Sequence, residues 1–296
     1  MSQTNFNTSA TGTPTTGTLN TSISVSSGDI VICCLGSTGV LPTGSNLPIL
    51  DPTGSNTAMT LFANSSNGSG ASVGIYYATA SSTASLTVSA TSNGTDNIDM
   101  VLLSIVNAPT CSFPDGTSIS ATGSGTSVSP GTLTGTYKGL YFTAVGSPSS
   151  NTVSAGLTNY NSTYVGVASY YGQTTSFNAT ATLSNSVQWA SVTVHIDDLI
   201  ETTISLSPNP TSTPVNTTKQ IFASLFDQCS TAYTDTVTWA MVSGGGSINS
   251  STGVYSAPSS ATVAVVRATA SEGKTTTATI TVTNPAAQTS FLLAML

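Results

Sequence analysis

Val73-Gly74-Ile75-Tyr76-Tyr77 returns about 92 residues later as Val165-Gly166-Val167-Ala168-Ser169-Tyr170-Tyr171, and each copy runs through a polar Ser/Thr stretch into further apolar segments. In the first copy these are Leu86-Thr87-Val88 and Val101-Leu102-Leu103-Ser104-Ile105; in the second the counterpart is Ser191-Val192-Thr193-Val194-His195-Ile196. Short runs rich in β-branched and aromatic residues, bounded by Gly, Asn and Ser, read as strands. Self-similarity at a spacing close to one sandwich domain reads as a duplicated folding unit, which suits display or spacing better than a single catalytic pocket.

Strands are expected near residues 23–25, 29–35, 58–62, 72–78, 84–90 and 98–106 of the first copy. Those of the second copy are expected near 117–121, 139–145, 152–157, 164–171, 176–183 and 187–196. Asn67-Gly68 and Asn93-Gly94 are hairpin signals. Val25-Ser-Ser-Gly-Asp29 is echoed by Val128-Ser-Pro-Gly-Thr132 at a spacing of about 103, so the first copy carries about eleven extra residues. They fall in the Pro/Gly-rich excursion over 36–54, where a surface loop tolerates insertion.

Charged residues make up only 5% of the 296, and the net charge is -7. Ordinary soluble domains carry about a quarter. Lys138, Lys219, Arg267 and Lys274 are the only basic residues, too few to neutralise a phosphate backbone, which argues against nucleic-acid binding. No stretch reaches the apolar length of a membrane helix. Met1-Ser-Gln-Thr-Asn-Phe6 has neither the basic start nor the apolar core of a secretory leader, which leaves two expectations: a leader removed and Met1 added by cloning, or a chain made and assembled in the cytoplasm, the second of which fits a virion component.

The third stretch carries Ile204-Ser-Leu-Ser-Pro-Asn-Pro210, Lys219-Gln-Ile-Phe-Ala-Ser-Leu225 and Val237-Thr-Trp239. Gly244-Gly-Gly-Ser-Ile248, Thr252-Gly-Val-Tyr-Ser-Ala-Pro258, Thr262-Val-Ala-Val-Val-Arg-Ala-Thr269 and Ala278-Thr-Ile-Thr-Val282 follow in that order. This stretch resembles the group 2 bacterial immunoglobulin-like domains. The resemblance covers slightly over a quarter of the chain and implies a seven-stranded sandwich, found in adhesins, secreted enzymes and phage structural proteins, with no catalytic residues. Independently of it, Val237, Trp239 and Met241 alternate with Thr238 and Ala240 as a half-buried strand requires. The expected fold class is therefore all-β, as tandem immunoglobulin-like β-sandwich domains. The expected modules are 1–109, 110–199 (a repeat of the first) and 200–285, followed by an apolar tail over 286–296.

Candidate chemistry is sparse. His195, the only histidine, is expected to be an exposed structural residue sharing a strand face with Thr193 and Asp197, opposite Val192, Val194 and Ile196. No GxSxG elbow precedes a helix, and no catalytic residue is assigned. Asp197, Asp198 and Glu201 are the one acidic cluster; they are candidate Ca²⁺ ligands at a module junction or, more simply, a solvated linker. No metal or other cofactor is expected. Asp96 and Asp99 are read as turn formers rather than as a glycosidase pair. Cys33 and Cys34 must face opposite sides of their strand, so that at most one points into the core. The four cysteines are read as small buried hydrophobes, with a bridge from Cys111 to the first module as the alternative. Alternation leaves one tyrosine of each pair outside, making Tyr77 and Tyr171 the candidate glycan contacts.

Phe291, Leu292, Leu293, Met295 and Leu296 make the tail an apolar hexapeptide that needs cover, either on the third module or in a neighbouring subunit, where these residues are the candidate assembly contacts. The expectation is a non-enzymatic virion structural protein, a capsid decoration or fibre-like appendage of a phage, located in the virion. Its expected partners are other structural subunits, as a homo-oligomer or with a capsid or tail protein. The alternative is a secreted cell-surface adhesin or carbohydrate-binding module holding a host-surface glycan.

Overall fold

The computed structural model describes residues 5–11, 15–51, 54–68, 70–106, 117–135, 139–148, 153–154, 158–172, 176–197 and 201–284. They divide into two compact units, one within 2–199 and one from 200 onward. Both are all-β, built as packed sheets; the one exception among the described residues is a 3-10 turn at Gly44–Asn46.

The first copy supplies β1 (Asn5–Thr11), β2 (Thr18–Val25), β3 (Ile30–Ser37), β4 (Ile49–Leu50), β5 (Thr57–Ala58), β6 (Thr60–Ser66), β7 (Ser72–Thr79), β8 (Ala84–Thr91) and β9 (Ile98–Val106). They form two sheets, ordered β1-β9-β3-β7-β6 and β2-β8-β4-β5. On β2, Leu19, Thr21, Ile23 and Val25 point inward and the residues between them outward, the period of a strand wet on one face. Its outer face is held by hydroxyl pairs, Thr18 with Thr91 and Ser22 with Thr87, both at 2.9 Å. Cross-strand hydroxyl pairs of this kind stabilise a sheet without ionic groups.

β3 does not alternate. All eight of its residues are buried, as are all of β9 except Val106. Val31, Cys33 and Leu35 pack with Tyr76, Met100 and Leu102 against the β2-β8-β4-β5 sheet. Ile30, Ile32 and Cys34 pack on the opposite side with Val101, Leu103 and Ile105. The larger sheet is thus the middle layer of three, and a strand covered on both faces must be apolar throughout. Cys33 and Cys34 face opposite sides and both are buried, as small hydrophobes would be, but each side is a core, which corrects the expectation that at most one points into the core.

The cover on that second side is the second copy: β10 (Ser118–Thr134), β11 (Gly139–Gly146), β12 (Val153–Ser154), β13 (Thr158–Asn161), β14 (Val165–Gly172) and β15 (Ser176–Asp197). Their sheet runs β10-β15-β11-β14-β13, with β12 on β15. The strands expected over 176–183 and 187–196 are one element of 22 residues. The ladder between β10 and β15 shifts register at Gly125/Ser127 and Val128/Gly131, and both glycines have positive φ (109° and 108°). Bulges of this kind bend a strand. Val128, Ala181 and Leu183 from one half are thereby gathered with Trp189 and Val145 into a second small core.

The two copies share one core through equivalent residues. Ile30, Ile32, Cys34, Val73, Ile75, Val101, Leu103 and Ile105 of the first copy share one cluster with Leu140, Phe142, Ala144, Val165, Val167, Val192, Val194 and Ile196 of the second, with β7 packed on β11 and β15, and β14 on β3 and β9. The contact is reciprocal down to single glycines. A Cβ on Gly36 would lie 2.8 Å from Val165 Cβ and 2.9 Å from the Tyr164 carbonyl, while one on Gly146 would lie 2.5 Å from the Ser72 carbonyl and 3.2 Å from Val73 Cβ. Such a pattern, in which patch i meets j and j meets i, is that of an isologous dimer made within one chain.

The other unit holds β16 (Glu201–Ser207), β17 (Thr211–Pro214), β18 (Thr218–Gln220), β19 (Phe222–Asp227), β20 (Ala232–Tyr233), β21 (Val237–Ser243), β22 (Ser247–Ile248), β23 (Val254–Ser256), β24 (Thr262–Ala270) and β25 (Thr275–Thr283). Its sheets are β16-β19-β20, β17-β25-β24-β21 and β18-β23-β22, with β17 parallel to β25. Trp239 is buried among Val266, Ala268 and Ile280, with Val237 and Met241 half-buried beside it and Thr238 and Ala240 exposed. Tyr255 is fully buried, and its hydroxyl donates to the Gly245 carbonyl at 2.6 Å.

Candidate functional site

The insertion of the first copy folds over the middle sheet and makes a cleft of about 410 Å³. Ligand pockets commonly have volumes of about 300–1,000 Å³. Val40, Leu41, Pro42 and Leu47 form one wall and Tyr76 the floor, with Leu61 at the mouth; Thr43, Asn64, Ser66 and Ser72 supply the polar fringe. No lining residue is charged.

Short polar side chains hold the loop in place. Asn93 Nδ2 donates to the Leu41 carbonyl at 2.8 Å, and its Oδ1 accepts from Thr43 N and Asn46 Nδ2. Asp96 Oδ2 accepts from Val40 N at 3.0 Å, and Ser37 Oγ donates to the Val40 carbonyl at 2.9 Å. Leu41 then packs onto β7 at Gly74, where a Cβ would lie 2.8 Å from the Tyr76 ring and 3.1 Å from Leu41 Cδ1. Burial, with Cys33 nearby, pushes the Tyr76 phenol up to about 12, so it stays neutral at physiological pH. Two apolar side chains remain open at the mouth: Val40 is 61% exposed and Leu61 46%. β6, which carries Leu61, Asn64 and Ser66, is the last strand of its sheet, and among the described residues no strand pairs with its far edge.

Sequence reasoning did not find this site. Asn93-Gly94 reads as a hairpin, yet β8 and β9 lie in different sheets and Asn93 is the loop's anchor. Asn67-Gly68 does close the β6–β7 connection: Asn67 Oδ1 accepts from Gly70 N and Ala71 N. Asp99, read as a turn former, is a clasp between the copies. It is fully buried and accepts Ser162 Oγ at 2.7 Å, Tyr164 N at 3.0 Å and Met100 N at 2.9 Å.

His195 does share a face with Thr193 and Asp197, but it is fully buried, which corrects the expectation of exposure. The bent strands cover that face. His195 Nδ1 lies 3.3 Å from Asp197 Oδ1, and its ring stacks on Tyr141 at 4.3 Å. Asp197 is accordingly turned inward, 4% exposed. Asp198 lies outside the described residues, and Glu201 opens β16 with its side chain outside them; no group of three or more His, Cys, Asp or Glu suited to a metal occurs among the described residues. Tyr77 is half-buried against the core shared by the two copies, with its ring edge-on to Phe62 at 6.2 Å. The outer face that was to present it is covered by the second copy. Tyr171 lies on β14 with its side chain outside the described residues, as do residues 285–296, which include all five tail contacts.

Cys229 is disulfide-bonded, and Cys111 lies outside the described residues. Cys33 and Cys34 are free thiols whose pKa values burial raises. A thiol reagent is expected to leave both unmodified in the native protein and to label both once urea unfolds it; labelling at native-state rates comparable to free cysteine would contradict the three-layer core.

No family model matches the chain, and no curated protein matches it.

Proposed function

We propose that the protein is a non-enzymatic structural subunit of a virion, a capsid decoration or fibre-like appendage that displays rigid β modules. The observation that carries this reading is the work its carboxylates do. Asp29 holds Ser26 N and Ser104 Oγ, Asp51 holds Ser55 N, Asp96 fixes the cleft loop, Asp99 clasps the two copies and Asp227 closes a turn through Cys229 N and Thr231 N. Groups engaged in fastening backbone serve mechanical placement. The uncharged Ser/Thr surface supports close subunit packing, because few ionic groups need desolvation there. The immunoglobulin-like resemblance of the third stretch fits the same role.

Particles purified from the native source should contain the chain at a fixed copy number that survives sedimentation. Recovery only as free protein or in a cell-wall fraction would favour the adhesin reading instead.

A further inference from the structure

We infer that the cleft beside Tyr76 is a binding site for an uncharged small molecule with a flat apolar body and one acceptor oxygen, which the Tyr76 hydroxyl meets. The site goes beyond the structural role proposed above and does not depend on it.

The lining selects first against charge. Val40, Leu41, Pro42, Leu47, Leu61 and Tyr76 give it an apolar surface, and the polar side chains of its fringe are hydroxyls and an amide. An ion entering such a place loses its water without gaining a counter-charge, a cost that a neutral ligand avoids. Asp96, whose carboxylate is bound to Val40 N of the same loop, adds a further penalty for an anion. Size comes next. A protein cavity of about 150 Å³ lined by aliphatic and aromatic side chains holds benzene. At about 410 Å³ this cleft has room for two fused rings with a short substituent.

Tyr76 sets the orientation. Its side chain is only 2% exposed and lines the cleft, and among the described residues its hydroxyl has no hydrogen-bond partner. A buried phenol ordinarily finds one. Burial keeps the group protonated at physiological pH, so it is a donor without an acceptor, and a carbonyl or hydroxyl oxygen is its complement. The cleft is also formed in advance. Asn93, Asp96 and Ser37 fasten the loop by its backbone at Val40, Leu41 and Thr43, so a ligand need not order the loop on entering.

Prodan, a neutral naphthalene ketone whose emission moves to the blue in apolar surroundings, is the probe. Anilinonaphthalene sulfonate, also an aromatic dye but negatively charged, is its control. Titrated into the full-length protein, prodan is expected to bind at one site per chain with blue-shifted emission, and the sulfonate roughly tenfold or more weakly. Tyr76→Phe should weaken prodan binding about fivefold, the share of one hydrogen bond. The same variant should melt with wild type, because its lost hydroxyl had no partner in the fold. Leu61→Asp should weaken prodan roughly tenfold or more, since the ligand would cover a carboxylate at the mouth. Its circular dichroism should match wild type, because Leu61 is already 46% exposed.

No saturable prodan binding, a sulfonate bound as tightly as the ketone, or wild-type affinity in either variant overturns the inference. A Tyr76→Phe protein that melts well below wild type would also overturn it, by showing that the hydroxyl is already engaged within the fold. None of these outcomes bears on the virion role, which particle composition tests separately.

Discussion

Gly146→Val is expected to destabilise the unit within 2–199 by about 3 kcal/mol or more, the upper end of the usual cost of overpacking a core. The added Cβ alone would lie 2.5 Å from the Ser72 carbonyl oxygen and 3.0 Å from its carbon, and these are backbone atoms with no rotamer to change. Relief requires moving β7 away from β11, which opens the core shared by the copies. Gly36→Val should act comparably through Val165 and the Tyr164 carbonyl. Because both substitutions push apart the same pair of sheets, their combined effect should fall short of the sum. Gly17→Ala serves as the control, since the nearest atom to its new Cβ is Thr15 Oγ1 at 3.8 Å. Urea denaturation midpoints check all four; a Gly146→Val protein as stable as the control would mean that the copies do not pack face to face.

Asp99→Ala should cost about 3 kcal/mol, because it takes the acceptor from the buried donor Met100 N and from the half-buried donors Ser162 Oγ and Tyr164 N. The pH dependence identifies the group. Burial raises the Asp99 carboxyl above 3.8, against the hydrogen bonds from Tyr164, Ser162 and Met100 that lower it. The folded state therefore binds this proton more tightly than the unfolded chain does. That contribution to stability is complete below pH 3.8 and is lost as pH rises through the raised folded value. In Asp99→Asn nothing titrates at this position, so the stability of wild type relative to Asp99→Asn should fall as pH rises across that window and level off above it. Paired urea titrations from acid to neutral pH test this, and a difference independent of pH would show that Asp99 does not bury its carboxyl at the contact.

Local periodicity made individual strands legible. The alternation of β2 and of Val237-Thr-Trp-Ala-Met241, and the repeated Val-Gly-Ile-Tyr-Tyr run, each report a local period that one strand satisfies by itself. The relation between strands was harder to read. Ile30-Val-Ile-Cys-Cys-Leu35 carries the mark of a strand covered on both faces, but a run of six apolar residues does not say what lies on its second side. That side is covered by a stretch more than a hundred residues away, which is why Cys34, Tyr77 and Asp99 were placed too near solvent or given only local roles, whereas His195 is buried on the other face of its sheet, beside Tyr141 and Asp197. The cleft was missed for a related reason. Its loop is ordered by Asn93 and Asp96, about fifty residues downstream, and these two look like ordinary turn formers.

Fusing two like halves into one polypeptide has a consequence for stoichiometry. A true homodimer must display every loop twice, because both halves are read from the same codons. Here each half has been free to drift: one grew an arm that shelters a cleft, and the other lengthened and bent its ribbons. The molecule keeps the mechanical economy of twofold packing while presenting a cleft on one half alone.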